Sequence, residues 1–171
     1  MQPEQAGFLR DFYLKAIEEE RATTRKVIAA VPEEKHAYTP HPTSRTAFDL
    51  AWHIASAHAW FLESVAKREF SMDSEERPEG IRTVADIVAV YEKQGAEALE
   101  KVKKVTPEQM AEIVDFFGMK FPLAIYLNFL LLHEVHHRGQ LSAYLRPMGA
   151  KVPDIYGGSA DEPFQMAAEQ P

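Results

Sequence analysis

Apolar side chains recur every three or four positions along four long stretches of the chain, which predicts four amphipathic helices. The predicted long helices span about residues 4–30, 46–67, 83–103 and 122–145. In the first of them residues 18–21 are expected to face outward. The opposite, apolar side of that helix is expected to carry Phe8, Phe12, Ala16 and Ile17.

Threonines mark three of the expected helix starts. Thr46 and Thr83 each precede an Asp by three positions, which is the spacing of a capping box between a hydroxyl and an acidic side chain. Thr106 is followed by a proline, a residue favoured in the first turn, and predicts a short helix to about Phe117. The second, third and short helices therefore have defined beginnings.

No stretch of the sequence alternates convincingly between apolar and polar positions, so no strand is predicted. Four long helices of comparable length indicate an all-α fold, a four-helix bundle in a single domain over residues 1–171. The tail at 150–171 is expected to be irregular, and its segment 152–158 could fold over one end of the bundle.

Composition restricts the function. A formal net charge of -7 argues against a general nucleic-acid binder, because phosphate neutralisation needs a surplus of Lys and Arg. The chain has no cysteine, which excludes disulfides, thiolate metal sites and a cysteine nucleophile. It starts without the basic and apolar segments of a signal peptide, and its longest apolar run is too short to cross a bilayer. We therefore expect a cytoplasmic protein with no nucleic-acid or membrane partner.

Histidines provide the candidate chemistry. His133 and His137 lie four positions apart on the fourth long helix, so both imidazoles point the same way and can chelate one metal. His53 lies on the apolar side of the second helix and could complete a three-histidine site between facing helices. A buried histidine that only makes hydrogen bonds is the alternative for each. His136 is also a candidate, because periodicity alone does not exclude it.

The other three histidines are expected to be structural or surface residues. His36 and His41 lie in the proline-rich segment, and His58 is turned away from His53.

The segment 133–137 also matches H-E-x-x-H, the zinc-protease motif in which the Glu is a general base. The extended motif needs a Gly and a third His further along, where this chain has Gln140 and Ala143. A downstream Glu ligand is also unavailable, since the acidic residues after the motif fall in the irregular tail. A peptidase is therefore not predicted.

Two segments resemble a known family. HEVHHRGQL at 133–141, followed by YLR at 144–146 and by Gly149, resembles the C-terminal signature of the DinB/YfiT-like superfamily. LAWHIA at 50–55, followed by WF at 60–61, is similar to its second-helix motif. Both motifs occur in the expected order, and the resemblance covers most of the chain.

The resemblance implies a four-helix bundle of DinB/YfiT type with up-down-down-up topology. It also implies one divalent transition metal, most commonly zinc or nickel, held by His53, His133 and His137, and so decides against His136. Members are often homodimers. Some are S-transferases or isomerases that use a low-molecular-weight thiol, and many have no established activity.

The neighbours of the expected ligands suggest further roles. Glu134 and Gln140 are the candidate catalytic residues: Glu134 as a proton acceptor or an orienting group, and Gln140 as a hydrogen-bond partner of the ligands. A solvent-facing Glu134 is an equally good interpretation. Arg138 is expected in solvent or in structural pairing, and Gly139 is expected to allow close helix packing.

Two hypotheses follow from these candidates. One is an enzyme that activates water or a thiol in a transferase or hydrolase reaction on a small molecule, whose identity the sequence does not give. The other is a non-catalytic metal-binding or structural bundle.

Overall fold

The computed structural model describes residues 1–71 and 77–164 of the chain. Its α-helices and β-strands in chain order are α1 (Pro3–Ala29), α2 (Ala47–Lys67), α3 (Val84–Val102), α4 (Pro107–Met110), β1 (Ile113–Phe116), β2 (Met119–Pro122) and α5 (Ile125–Leu145), and a single 3₁₀ turn at Glu33–Lys35 lies between α1 and α2. The four long helices α1, α2, α3 and α5 are those that the sequence predicts. The mostly helical fold class is confirmed, and the arrangement is consistent with a four-helix bundle.

Both predicted threonines cap their helices, but only Thr83 forms the full capping box that was expected at each. The Thr83 hydroxyl accepts a hydrogen bond from the Asp86 backbone N–H at 3.1 Å, and the Asp86 carboxylate accepts one from the Thr83 N–H at 2.8 Å. At the start of α2 the Thr46 hydroxyl accepts from the Asp49 N–H at 3.0 Å and donates to its carboxylate at 2.7 Å. Both threonines thus supply a partner for a backbone N–H that the helix itself leaves unpaired.

The segment before α5 differs from the prediction. A short helix to about Phe117 was expected, but the helix ends at Met110 and is followed by an antiparallel hairpin in which Phe116 pairs with Met119. Phe117 and Gly118 form its tight turn, and both have positive φ values of 50° and 92°. The expectation of no strand was therefore wrong. Two backbone positions with φ above zero end any helix and match the twist of a two-residue hairpin turn.

The prediction of which side of α1 is buried was also wrong for two of its residues. Phe8 and Phe12 were grouped with Ile17, but their side chains are 68% and 56% exposed, whereas Leu14 and Ile17 are buried. The reason is the helical period: Phe8 and Ile17 are nine residues apart, which at about 100° per residue places them on opposite sides of the helix.

Two apolar clusters form the core. The first joins the beginnings of α1 and α5 to the ends of α2 and α3, and it includes Ile17, Val65, Leu99 and Leu127. The second joins the ends of α1 and α5 to the beginnings of α2 and α3, and it includes Ile28, Leu50, Ile87 and Leu145. Two helices therefore run in one direction and two in the other, which is the relation that an up-down-down-up order requires.

The described part of the tail contains neither helix nor strand. Val152 and Ile155 pack against the second cluster, so this segment covers one end of the helices as suggested from the sequence. In the described ranges no helix is both long and apolar enough to cross a membrane.

Candidate metal centre

Three imidazole rings meet between α2 and α5. One ring nitrogen each from His53, His133 and His137 lies within 4.8 Å of the other two. The Nε2 atoms of His53 and His133 are 3.1 Å apart, and the ring centroids of His133 and His137 are 4.4 Å apart. The structure thus brings together the three histidines that the sequence selects as candidate ligands.

Helix geometry explains the meeting. His133 and His137 are one turn apart on α5, so their side chains emerge on the same side of that helix. His53 emerges from α2 among buried residues, and α2 packs directly against α5. His53 is buried while the two α5 histidines are half-buried, so the group lies at the edge of the interior and is reached from solvent on one side.

A hydrogen bond to Gln140 orients the His137 ring. Its Nδ1 lies 3.1 Å from Oε1 of Gln140, and the Gln140 amide nitrogen donates to the Tyr144 hydroxyl at 3.4 Å. With an amide oxygen facing Nδ1, that nitrogen carries the proton and Nε2 keeps its lone pair for a ligand bond. Gln140 is therefore in the orienting position that its spacing suggested.

The electrostatic environment keeps His133 neutral. Burial, together with the neighbouring His137 and His53 rings, lowers the pKa of His133 to about 4. A neutral imidazole is the form that binds a metal, so this ring is ready to act as a ligand at neutral pH.

These residues fit a divalent transition metal. Imidazole nitrogens bind zinc at about 2.0–2.1 Å, which in tetrahedral geometry places neighbouring ligand atoms roughly 3.3 Å apart. The 3.1 Å between Nε2 of His53 and Nε2 of His133 is close to that separation. Within the described ranges, no other group of three His, Asp or Glu side chains has this compactness.

The remaining histidines lie elsewhere. His136 is exposed and outside the group of three, in agreement with the family resemblance rather than with periodicity alone. His58 is fully buried, and its Nδ1 lies 2.6 Å from the carboxylate of Glu134. His58 is therefore one of the interior residues, as a structural role requires.

Glu134 is buried in the interior and does not face solvent. Its side chain is 4% exposed, and Tyr91 donates a hydrogen bond to the second carboxylate oxygen at 2.6 Å. The interpretation of a solvent-facing helix residue is therefore wrong. Both oxygens already have partners inside the bundle, which favours the orienting role over that of proton acceptor.

Arg138 and Gly139 complete the motif. Arg138 is buried and pairs with Glu20 of α1, and it also contacts the Tyr156 hydroxyl of the tail. Structural pairing was one of its two expected roles. Gly139 is exposed, and a Cβ built on it would meet no other described atom within 4 Å, so close packing within the described chain does not explain it.

Sequence reasoning missed the buried partners of Glu134. The sequence of α5 does contain a usable signal, a line of buried leucines at helical spacing that includes two charged residues. The line consists of Leu127, Glu134, Arg138, Leu141 and Leu145, at steps of three, four or seven residues. Two charges on an otherwise apolar line indicate buried groups that require partners on neighbouring helices.

The fold and the histidine group together define a helical bundle with a candidate three-histidine metal centre between two of its helices. The model of the DinB family matches residues 5–168, and the chain belongs to that family.

Several Bacillus proteins are similar to this chain. The uncharacterized protein YrdA of Bacillus subtilis (strain 168) is 29% identical over 163 residues, which cover 94% of this chain and 96% of YrdA. The uncharacterized protein YjoA of the same strain is 25% identical over 130 residues, which cover 75% of this chain and 84% of YjoA.

Solved structures give the same fold. The crystal structure of a DinB-like protein from Bacillus cereus ATCC 10987 has a TM-score of 0.72 at 26% identity, with 84% of this chain and 95% of that chain covered. The crystal structure of YjoA from Bacillus subtilis has a TM-score of 0.68 at 23% identity, with 84% and 96% covered. The second likeness concerns the fold alone.

Proposed function

We propose that this chain binds one divalent transition metal, zinc or nickel, through His53, His133 and His137. In this proposal the bound metal activates a water or a low-molecular-weight thiol in a transferase or hydrolase reaction on a small molecule. The observation that carries the proposal is the approach of three imidazole nitrogens to within 4.8 Å of one another from two helices.

The surroundings of the group support a reactive site. Three protein ligands leave one position on the metal open for water or substrate. Because the three ligands are neutral, the metal keeps its full charge, and for zinc such a charge lowers the pKa of bound water to about 7. The half-exposure of His133 and His137 gives small molecules a route to that position. Gln140 holds the His137 ring with its Nε2 turned to the site, so part of the geometry is set before a metal arrives.

A second candidate function is a non-catalytic metal site that stabilises the bundle. It is favoured by one observation, the placement of Glu134: both carboxylate oxygens of this residue, which directly follows His133, are engaged by His58 and Tyr91. A metal that binds only the folded state raises stability according to its concentration and dissociation constant, whatever its catalytic power.

The test begins with the metal content of the purified protein and with zinc and nickel dissociation constants from competition with a chromogenic chelator. We expect one metal per chain, and a large loss of affinity in His137→Ala. His136→Ala is the matched control, because it removes the adjacent exposed imidazole from the same helix. Equal losses in both variants, or no binding by the unaltered protein, would overturn the proposed site.

Catalysis requires a separate assay. Metal-loaded protein is incubated with a panel of electrophiles and low-molecular-weight thiols, and with thiol-free buffer for hydrolysis. Turnover that is lost in His53→Ala and retained in His136→Ala supports the enzyme. Metal binding with a raised melting temperature and no turnover across the panel favours the structural alternative.

The homodimer implied by the family resemblance is also part of this proposal. Size-exclusion chromatography with light scattering would give twice the 19.4 kDa mass of the chain if it forms. A mass of one chain would refute it.

A further inference from the structure

A single buried carboxylate joins three of the long helices, α2, α3 and α5, beside the histidine group. Glu134 of α5 lies 2.6 Å from Nδ1 of His58 on α2 and accepts a 2.6 Å hydrogen bond from the Tyr91 hydroxyl of α3. We refer to these three residues as the carboxylate cluster.

The cluster is polar and lies in the interior: the Glu134 side chain is 4% exposed, and both of its oxygens have partners in His58 and Tyr91. Burying polar or charged groups is costly, and apolar residues of similar volume often give equal or greater stability. Bulk stability is therefore a weak explanation for the cluster.

The position of the carboxylate cluster relative to the histidines offers a better explanation. The contact between His58 and Glu134 joins α2 to α5, the same two helices that His53 and His133 join. His58 follows His53 by five residues, or about 7.5 Å along the helix, and Glu134 directly follows His133. The protein thus links α2 to α5 with its own side chains, next to the place where a metal would link them.

Adjacent residues on a helix point about 100° apart, so fixing the direction of Glu134 fixes the direction of His133. The ends of side chains lie about 5–6 Å from the helix axis, so a rotation of roughly 10° about that axis moves a ring nitrogen by about 1 Å. Metal–ligand distances are held to within about 0.2 Å. A small rotation of α5 is therefore enough to spoil the ligand geometry.

The other side of the His58 ring is also fixed. A Cβ built on Gly95 of α3 would lie 2.8 Å from Cδ2 and from Nε2 of His58, so the absence of a side chain there lets α3 close over the ring. Within the described residues Nε2 of His58 has no hydrogen-bond partner, which leaves Glu134 as its polar contact. Packing on Gly95 and the bond to Glu134 together determine where His58 lies.

We propose that Glu134 is a positioning residue: through His58 and Tyr91 it fixes the rotation of α5 against α2, so that the three histidines are already arranged for a metal in the metal-free protein. This proposal rests on the proposed metal binding. It gives Glu134 no contact with substrate and no role as a base.

The test compares Glu134→Gln with Tyr126→Phe. Gln keeps the size of Glu134 but loses its charge and one acceptor. Tyr126 lies on the same helix and is also buried, but its hydroxyl contacts the hairpin, so its loss weakens the fold without touching the link to α2. Zinc affinity is measured by chelator competition at a temperature where circular dichroism shows each protein fully folded, and the visible spectrum of the cobalt-loaded protein reports ligand geometry.

We expect Glu134→Gln to weaken zinc binding by about 10- to 100-fold and to shift the cobalt bands, because removal of groups behind the ligands has effects of this size. Tyr126→Phe should stay within about two-fold of the unaltered protein. Tyr91→Phe, which removes one hydrogen bond and keeps the charge, should give a smaller loss in the same direction. Unchanged affinity in Glu134→Gln, or an equal loss in Tyr126→Phe, would overturn the proposal.

A metal-free measurement separates this proposal from metal binding itself. In crystals of metal-free Glu134→Gln we expect Nε2 of His53 and Nε2 of His133 to lie further apart than their present 3.1 Å. If the unaltered protein binds no zinc, the proposed function fails and this distance still decides the positioning role. A retained distance of 3.1 Å would refute it.

Discussion

The ion pair between Glu20 of α1 and Arg138 of α5 is unequally buried, and this predicts unequal effects of removing its two members. The Arg138 side chain is 1% exposed and that of Glu20 is 21% exposed. Glu20→Gln leaves a cation in the interior without its counter-charge, whereas Arg138→Met leaves a carboxylate that water can reach. We therefore expect Glu20→Gln to be the more destabilising change.

The magnitudes follow from these exposures. Removing one member of a fully buried pair costs about 3–5 kcal/mol. Because Glu20 is partly exposed and Gln keeps an oxygen that accepts from the guanidinium, we expect the free energy of unfolding to fall by about 2 kcal/mol. For a chain of this length that is a Tm decrease of roughly 4–8 °C. Arg138→Met loses its hydrogen bonds to Thr24 and Tyr156 but fills most of the space, so we expect about 1 kcal/mol.

The assay is urea unfolding of the metal-free protein, followed by circular dichroism at 222 nm. Glu18→Gln is the control, since it breaks an ion pair with Lys103 in which both side chains are more than 40% exposed, and no measurable change is expected. A larger loss in Arg138→Met than in Glu20→Gln would refute the argument from unequal burial.

Three further predictions concern protonation, a helix start and the hairpin. In the metal-free protein the pKa of His133 is lowered, first by burial, to about 4, against about 6.5 in the unfolded chain. Between these two pKa values the unfolded chain binds more protons than the folded protein, so the free energy of unfolding should fall as the pH drops from 7 to 5. A His133→Asn variant with the same pH dependence would contradict this. In urea titrations Thr83→Ala should lower the free energy of unfolding by about 1 kcal/mol, because the first turn of α3 loses its capping acceptor. The control is Thr39→Ala, which removes a threonine hydroxyl from an exposed loop. Tyr126→Phe should cost about 1–2 kcal/mol and speed hydrogen exchange at the Phe121 amide, which donates to that hydroxyl; unchanged exchange there would show that the hydrogen bond is unimportant.

The fold was largely predictable because its signals are local. Periodicity gave the four long helices, and the Thr46 and Thr83 signals gave two of their beginnings. The hairpin was missed because four-residue strands are too short for an alternating pattern to be recognised. The helix start at Thr106 was correct, but it begins a helix of only one turn. Phe117 with Gly118 was the available clue, since a tight turn with two positive φ values favours Gly at its second position.

The candidate site was predictable in part. Spacing placed His133 and His137 on one side of a helix, and the apolar side of the second helix made His53 a candidate third ligand. Only the family resemblance selected these three together and set His136 aside. Spacing of the motif also gave the contact between Gln140 and His137. Their role as metal ligands stays a prediction that the experiments above address.

Periodicity marks a second buried face on α5, but it does not provide the partners of the two charged residues on that face. His133 and His137 lie beside His53 of α2, whereas Glu134 and Arg138, each one position further along, point into the interior. There Glu134 contacts α2 and α3, and Arg138 contacts α1. A method that treats charge as a sign of solvent assigns those two residues to the surface. Charged residues on an interior face stay there only when every neighbouring helix supplies a partner, so their signal is spread over α1, α2 and α3. The partners of Glu134 therefore become evident only once the helices are placed side by side. The same placement explains why a residue next to a candidate ligand can orient it without touching a metal.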